Sequence, residues 1–397
     1  MKLAPMSVLS ELTIICLSYE RQNYVRRQLV YFSDTPVKLV VADGSDRPMA
    51  DLEPSEVVNI SLRFRYIHLA GAATYQKRLE LALEEVDTPF VTLMDDADIL
   101  FKSGLARAVL ELKGNQNISV AAGKVGRFEH AEGLKQVGYS NWGHWSSPLS
   151  LEGVSQTKLL EMISNMRTAN VFYVVSRRDI FIEGIQKMHQ ARLTNGSAGE
   201  LFLTAFFIIK SNFNLGDYPF WMRGNVPSVP SKLYDKCSET EWHVVDGEDR
   251  KDFISYLAGE LAESGKLERD EAVKVIEGYL SVHYKQCIYS DRRGQERISG
   301  LVKYFYSFRG LVKSRLLSNH FGVTLLGCYR RLRHGRGRAV ADTIRYWESA
   351  GADLAEDQVT DLRNYDELLS RFPKGIESSA DLYLALKASR LKTMPQR

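Results

Sequence analysis

The residues best placed to do chemistry are three carboxylates at the end of one apolar run, where Phe90-Val91-Thr92-Leu93-Met94 leads into Asp95-Asp96-Ala97-Asp98. A short run of this kind predicts a buried strand whose C-terminal end meets solvent at Asp95. Open α/β sheets bind ligands at the carboxyl ends of their strands, and hard divalent cations take oxygen ligands that they share with phosphates. Acids at this position therefore suit Mg²⁺ or Mn²⁺ held together with a diphosphate. The competing reading is structural: the same acids could cap a helix beginning near Lys102, and short acidic motifs have that role more often. The elements around them decide.

Leu12-Thr13-Ile14-Ile15-Cys16-Leu17 has the length and β-branched content of a buried parallel strand. Ser18 to Asn23 then turns the chain into a helix whose apolar face is Val25, Leu29 and Phe32. A second strand, Val37 to Ala42, ends in Asp43-Gly44-Ser45-Asp46, where glycine permits close backbone approach and Asp43 can accept hydrogen bonds from a base or ribose. Asp-Gly-Ser is also ordinary turn chemistry. A third strand is expected over Phe64–Leu69 and a helix over Tyr75–Val86, with Leu79, Leu83 and Val86 inward and the cations Lys77 and Arg78 beside them. Thr88-Pro89 ends that helix, because proline cannot extend it, and the chain restarts as the strand that carries the acids. Strands and helices alternating in this way predict a mostly parallel sheet with right-handed crossovers.

Thr13-Ile14-Ile15 through Tyr19-Glu20-Arg21, then Val40-Val41-Ala42-Asp43-Gly44-Ser45, the Lys77 helix and Met94-Asp95-Asp96-Ala97-Asp98 together resemble the family 2 glycosyltransferases with the GT-A fold, in order and spacing as well as residue type. The resemblance covers roughly residues 10–225. It implies a nucleotide-sugar donor, a UDP-sugar first, contacted by Tyr19, Arg21, Asp43, Lys77, Asp95 and Asp96, with Asp43 on the base. It also implies Mn²⁺ or Mg²⁺ at Asp96 and Asp98. Two positions depart from the family pattern: Leu17 stands where a proline is usual, and Ala97 interrupts the acidic run. The second departure leaves two pairs, Asp95 with Asp96 and Asp96 with Asp98, as holders of the ion.

Past a helix over Gly104–Lys113 and a strand over Ile118–Lys124, the stretch Gly138–Pro148 reads as a polar, aromatic loop. Its Trp142 and Trp145 could stack on an acceptor sugar, or simply pack the loop on the sheet, with His144 a bystander. A strand is expected over Ala169–Val175. Asn195-Gly196-Ser197-Ala198-Gly199-Glu200 then opens the apolar helix Leu201–Ile209. Ser197 as N-cap with Glu200 three residues later is a capping-box pattern. In the resembled family an acid at this point is the catalytic base, which makes Glu200 the candidate for that role. Leu215–Arg223 reads as an edge strand whose Arg223 could meet a phosphate.

The chain has 397 residues, 44% hydrophobic and 25% charged, enough for two domains. The expected division is a GT-A domain over 1–240 and a mainly helical C-terminal domain over 241–397, where strand patterns give way to charged helical ones. A net charge of +3 speaks against a nucleic-acid partner. Cys16, Cys237, Cys287 and Cys328 lie too far apart for a zinc site and read as free thiols of a reducing cytosol. The N-terminus shows neither a signal peptide nor a spanning helix, so membrane contact would be peripheral, on the cytoplasmic face. No acid occurs between Glu296 and Asp342, while Lys303, Arg309, Lys313, Arg315, Arg330, Arg331, Arg333, Arg336 and Arg338 lie among aromatic and aliphatic residues. Such a segment can lie on an anionic membrane or dock on an acidic protein face.

The expected activity is inverting, metal-dependent transfer of a sugar to a glycan or lipid-linked hydroxyl, as in bacterial-type surface polysaccharide synthesis. A nucleotidyltransferase is the first alternative, set second because no Gly-rich basic loop follows the first strand. A catalytically silent glycan-binding scaffold of the same fold is the other.

Overall fold

The computed structural model describes residues 5–49, 61–70, 74–129, 138–140, 173–193, 196–224, 247–264, 267–282 and 354–372, with positions 344, 375–376, 381–382 and 385–386. The chain is a mixed α/β protein built on one nine-stranded sheet. Its strands are β1 (Leu12–Ser18), β2 (Lys38–Asp43), β3 (Arg63–His68), β4 (Phe90–Asp95), β5 (Ile99–Leu100), β6 (Val120–Glu129), β7 (Gly138–Ser140), β8 (Val175–Arg177) and β9 (Phe213–Gly224). They run in the order β3-β2-β1-β4-β8-β6-β9-β5, with β7 pairing on β6. β1, β2, β3, β4, β6 and β9 point one way, and β5, β7 and β8 run against them. This is the mostly parallel α/β sheet expected from the alternation of elements.

The first four parallel strands form because each is a near-continuous apolar run that can be buried on both faces. Ile14, Ile15 and Cys16 of β1, Leu39, Val40 and Val41 of β2, and Val91 of β4 are all fully buried. Their register sets Ser18 opposite Asp43 and Leu17 opposite Asp95, so three strands deliver their carboxyl ends at one level. Helix α1 (Gln22–Phe32) crosses from β1 to β2, and α2 (Tyr75–Glu84) precedes β4. The Thr74 hydroxyl caps α2 by accepting from the Lys77 N–H at 3.2 Å, which satisfies one of the four unpaired donors of its first turn.

Helix α3 (Lys102–Gly114) follows β5. Helix α4 (Arg178–Gln190) starts directly after β8, in a stretch where no helix was expected. Helix α5 (Gly196–Lys210) carries Glu200. β9 corrects the sequence reading of an edge strand: it pairs with β6 along one side, and β5 covers Trp221 and Met222 on the other. The short β5 was hidden because Ile99 and Leu100 directly continue the acid cluster with no turn residue between them.

The later helices dock on this body. α6 (Glu248–Glu263) packs against α5, and α7 (269–282) buries Ala272, Ile276 and Leu280 and donates from Tyr279 Oη to the Leu201 carbonyl at 3.3 Å. Glu260 on α6 is buried between Lys187 at 2.9 Å and Lys210 at 2.5 Å. Burial pushes its carboxyl up, but the two ammonium groups prevail and hold it below the ordinary carboxylate value. A depressed carboxylate contributes stability above its unfolded value and loses it as pH falls through the folded one. Glu260→Gln should therefore destabilise the chain at neutral pH by about 1.5–3 kcal/mol, the usual worth of a charge-assisted hydrogen bond. It should also flatten the acid limb of a melting-temperature profile between pH 3 and 7.

Helix α8 (Glu356–Arg371) lies against α1 and α3. Asp361 accepts from the Ser103 N–H at 2.7 Å and from its hydroxyl at 2.6 Å. The N-cap position of α3 is Phe101, whose side chain cannot cap, so a carboxylate 258 residues away in sequence does that work. Beyond α8 the Ile376 N–H donates to the Asn23 carbonyl at 2.8 Å. Gly375 there has φ 87, and a Cβ on it would lie 2.5 Å from the Asn23 backbone, so only glycine fits this approach. Among the described residues no helix is long and apolar enough to cross a membrane.

Candidate functional site

The acids sit where the apolar run predicted, at the carboxyl end of β4 beside those of β1 and β2. They do not cap α3, since Asp361 does. Asp95 is 40% exposed, and its Oδ1 accepts from the Ala97 N–H at 3.0 Å. Asp96 is buried, and its Oδ2 accepts from Ser18 Oγ at 2.8 Å. Arg21 places Nη1 3.3 Å from Asp96 and 3.5 Å from Asp95, bridging both. Asp98 is buried too; it accepts from Trp221 Nε1 at 2.9 Å and from the Gly224 N–H at 2.8 Å, so it ties the acid loop to the end of β9.

Burial, reinforced by Asp95, pushes the Asp96 carboxyl well above the ordinary range, against the pull of Arg21 and Ser18. Burial and Asp95 likewise raise Asp98, against the Gly224 N–H, Arg223 and Trp221. Below them Cys16 is a buried free thiol, raised by burial and by the same acids. Two buried carboxylates with an exposed third and one guanidinium between them form the electrostatic setting that a divalent cation relieves. The donor set therefore fits Mn²⁺ or Mg²⁺. Each oxygen of Asp98 keeps one lone pair for that use. Among the described residues, though, no group of three or more His, Cys, Asp or Glu has the geometry to hold an ion by itself. Most ligands would have to come from phosphate and water.

Asp43 ends β2 fully buried. Oδ1 accepts from the Ser45 N–H at 2.9 Å and hydroxyl at 2.5 Å, and Oδ2 accepts from Gln22 Nε2 and Tyr66 Oη, both at 2.7 Å. The turn chemistry seen in Asp-Gly-Ser is thus present, and the Asp43 carboxylate also joins the end of β2 to the start of α1 through Gln22 and to β3 through Tyr66. His68 follows on the same face of β3, its ring stacked near that of Tyr66 and its Nε2 2.8 Å from the Ser45 carbonyl oxygen. The turn after β1 is tied down from the same side: the Glu20 N–H donates to Ser45 Oγ, and Glu20 itself has φ 54. Tyr19, half-buried, lies in that turn.

Lys77 and Arg78 separate. Lys77 is 57% exposed and pairs with Glu80 at 3.0 Å on the outer side of α2. Arg78 is buried across Gly44 and donates from Nη1 to the Ser18 carbonyl at 2.5 Å. The cation that α2 buries at the strand ends is Arg78, while Lys77, expected beside the donor, is exposed and paired with Glu80. Neighbours on a helix point about 100° apart, so helix rotation decides which one reaches the sheet.

Glu200 lies half-buried on α5. That helix begins at Gly196, so Ser197 is inside the first turn and the expected capping box is not the arrangement. Tyr173 lies close enough to Glu200, Asp95 and Asp98 to feel the charge of each. Its ring packs on Trp221 at 4.5 Å between centroids, and Trp221 holds Asp98. Burial raises the Tyr173 phenol, and Glu200, Asp95, Asp98 and Tyr75 add to the rise, so the fields of base candidate and acid cluster meet at this ring. Sequence reading missed Tyr173 and the role of Ser18, since an aromatic in a β-branched run and a serine at a strand end signal nothing special. Trp142, His144, Trp145 and the basic segment over 303–338 lie outside the described residues, as do Cys237, Cys287 and Cys328.

No protein-family profile and no curated protein sequence matches the chain. Among solved structures it is similar to S. aureus TarS 1-349 in complex with UDP, at 13% identity and TM-score 0.46 over 91% of this chain and 91% of that one. It is similar also to TarS 1-349 in complex with UDP-GlcNAc, at 15% identity and TM-score 0.43 over 69% and 73%. With S. aureus TarS itself the figures are 16% identity and TM-score 0.43, and the match, 69% of this chain, spans 43% of the length of TarS.

Proposed function

We propose that the chain is a glycosyltransferase that moves a sugar from a nucleoside-diphosphate donor, a UDP-sugar first, to an acceptor hydroxyl with inversion at the anomeric carbon. One arrangement supports this reading: the Tyr173 ring packs on Trp221, which holds Asp98, and Glu200, Asp95 and Asp98 all bear on the Tyr173 phenol, so the candidate base and two of the three acids surround one ring. Donor and acceptor would meet there. Glu200 takes the proton of the acceptor hydroxyl as its oxygen attacks the anomeric carbon, and the bond to the diphosphate breaks with its electron pair leaving on the phosphate oxygen. No side-chain nucleophile is needed.

The leaving group gains negative charge, and the chain meets it with Arg21 and Arg78 near the strand ends, in a site where fixed charges act at low dielectric. Asp96 and Asp98, with Asp95 beside them, would hold Mn²⁺ or Mg²⁺. When bound, the ion supplies Lewis-acid neutralisation of the departing diphosphate. Asp43 would contact the base only if Gln22 or Tyr66 turns away from it, because its four acceptor sites are taken. The acceptor in this reading is a hydroxyl of a glycan or lipid-linked saccharide, as in surface polysaccharide synthesis, brought beside Glu200.

A panel of nucleotide sugars, incubated with and without Mn²⁺ and analysed by mass spectrometry, tests the reading. Nucleoside diphosphate should be released from one donor class only with metal present. Release of pyrophosphate from a nucleoside triphosphate and a sugar phosphate would instead support the nucleotidyltransferase. No turnover of any donor, with binding of glycans intact, would support the silent scaffold.

A further inference from the structure

The acid loop is held from behind. The Gln28 side-chain amide, fully buried, donates to the Asp96 carbonyl at 3.0 Å and to the Asp98 carbonyl at 2.5 Å. Arg27 Nη2 donates to the intervening Ala97 carbonyl at 3.2 Å. Three consecutive carbonyls of the loop thus hang on two adjacent residues of α1. Among the described residues Gln28 Oε1 has no hydrogen-bond partner, so this buried amide acts there only as a twofold donor.

Helix α8 braces both sides of the same loop. Its Tyr365 ring lies 5.9 Å from the Arg27 guanidinium, which also faces Tyr24 at 4.9 Å, and packs edge-on against Tyr31 of α1 at 5.2 Å. Its Asp361 caps α3, which starts four residues after Asp98. The loop carrying Asp95 to Asp98 is therefore set between two helices, and α8 touches each of them.

We propose that Gln28 is the positioning residue of the acid loop and that α8, through Tyr365 on Arg27, keeps α1 in the place where Gln28 reaches it. The loop's carboxylates can share an ion or a diphosphate only if their backbone is fixed to a fraction of an ångström. Water cannot replace the lost donors at a fully buried position, so removing the amide frees the loop. The use of the loop in donor binding rests on the function proposed above; its fixation does not.

Two readouts on the full chain separate these claims. Hydrogen exchange of the Ala97 and Asp98 amides in ligand-free protein reports the fixation, and calorimetry of UDP with Mn²⁺ reports its use. Gln28→Leu and Tyr365→Leu should each speed exchange of those amides at least tenfold and weaken Mn²⁺-dependent UDP binding about 10–100-fold, as losses behind a metal ligand do. Leu362→Ala, equally buried on α8, should lower the melting temperature and change neither. If Gln28→Leu does not fold, Gln28→Asn, whose amide is one methylene short, should show the same acceleration. Unchanged exchange in the Gln28 variant, or equal acceleration in Leu362→Ala, would overturn the proposal. Acceleration in a protein that binds no UDP even as wild type would uphold the fixation and sink the glycosyl-transfer reading.

Discussion

Glu200→Gln is expected to lower kcat by about 10²–10⁴-fold while donor affinity stays within about twofold, the pattern left by removal of a general base. The amide has the size of the carboxylate and can hold the same neighbours, but it cannot take the acceptor proton at neutral pH. The helix start at Gly196 sharpens the expectation. With Ser197 inside the first turn, Glu200 does not stand three residues after the N-cap, and glutamine can hold the same neighbours, so the melting temperature should change far less than kcat. Initial rates with saturating donor, alongside a thermal melt, distinguish the outcomes. Normal kcat with a lowered melting temperature would return Glu200 to a structural role.

The second large effect is expected at Asp96. Asp96→Asn keeps an oxygen for Ser18 and removes the charge between Arg21 and Asp95. Metal-dependent binding of a nucleoside diphosphate should weaken by at least the roughly 10–100-fold seen when a metal ligand's outer partner is lost. Stability should move the other way. Burial holds the Asp96 carboxyl above its ordinary value, and such a group contributes stability below its unfolded value and loses it as pH rises through the folded one. At neutral pH without metal the ionised form therefore opposes folding, and asparagine removes that opposition. A metal-free melt should show Asp96→Asn at least as stable as wild type, and weakened binding in a stabilised protein cannot be ascribed to misfolding. Asp98 is a poorer test, because its loss would strand the buried donors of Trp221 and Gly224 at about 1–3 kcal/mol each.

The first hundred residues were legible because their signals are local. Leu12 to Leu17, Val37 to Ala42 and Phe90 to Met94 are apolar runs of strand length, and Val25, Leu29 and Phe32 repeat at helical spacing; each became the expected element. What escaped depends on rotation or on distance along the chain. Lys77 and Arg78 are equal as cations in a sequence, and only the packing of Leu79 and Ala82 on the sheet turns Arg78 inward. Helix α4 had a pattern, with Phe181, Ile185 and Met188 buried on one face, yet it follows β8 with no turn residue to mark a start. Asp361 and Gln28 carry no local mark at all, since a cap supplied from 258 residues away and an amide aimed at carbonyls exist only once the chain has folded. The site's polar framework was therefore the part least visible beforehand.

The measurement that bears most directly on the central claim, a cation-assisted diphosphate site at the end of β4, is calorimetric titration of UDP into the wild-type chain in Mn²⁺ and again in EDTA. Few carboxylates of the chain would face such an ion, so Mn²⁺ alone should bind weakly, UDP in EDTA weakly, and UDP with Mn²⁺ at least tenfold more tightly than UDP without it. Equal UDP affinity in Mn²⁺ and EDTA would contradict the claim.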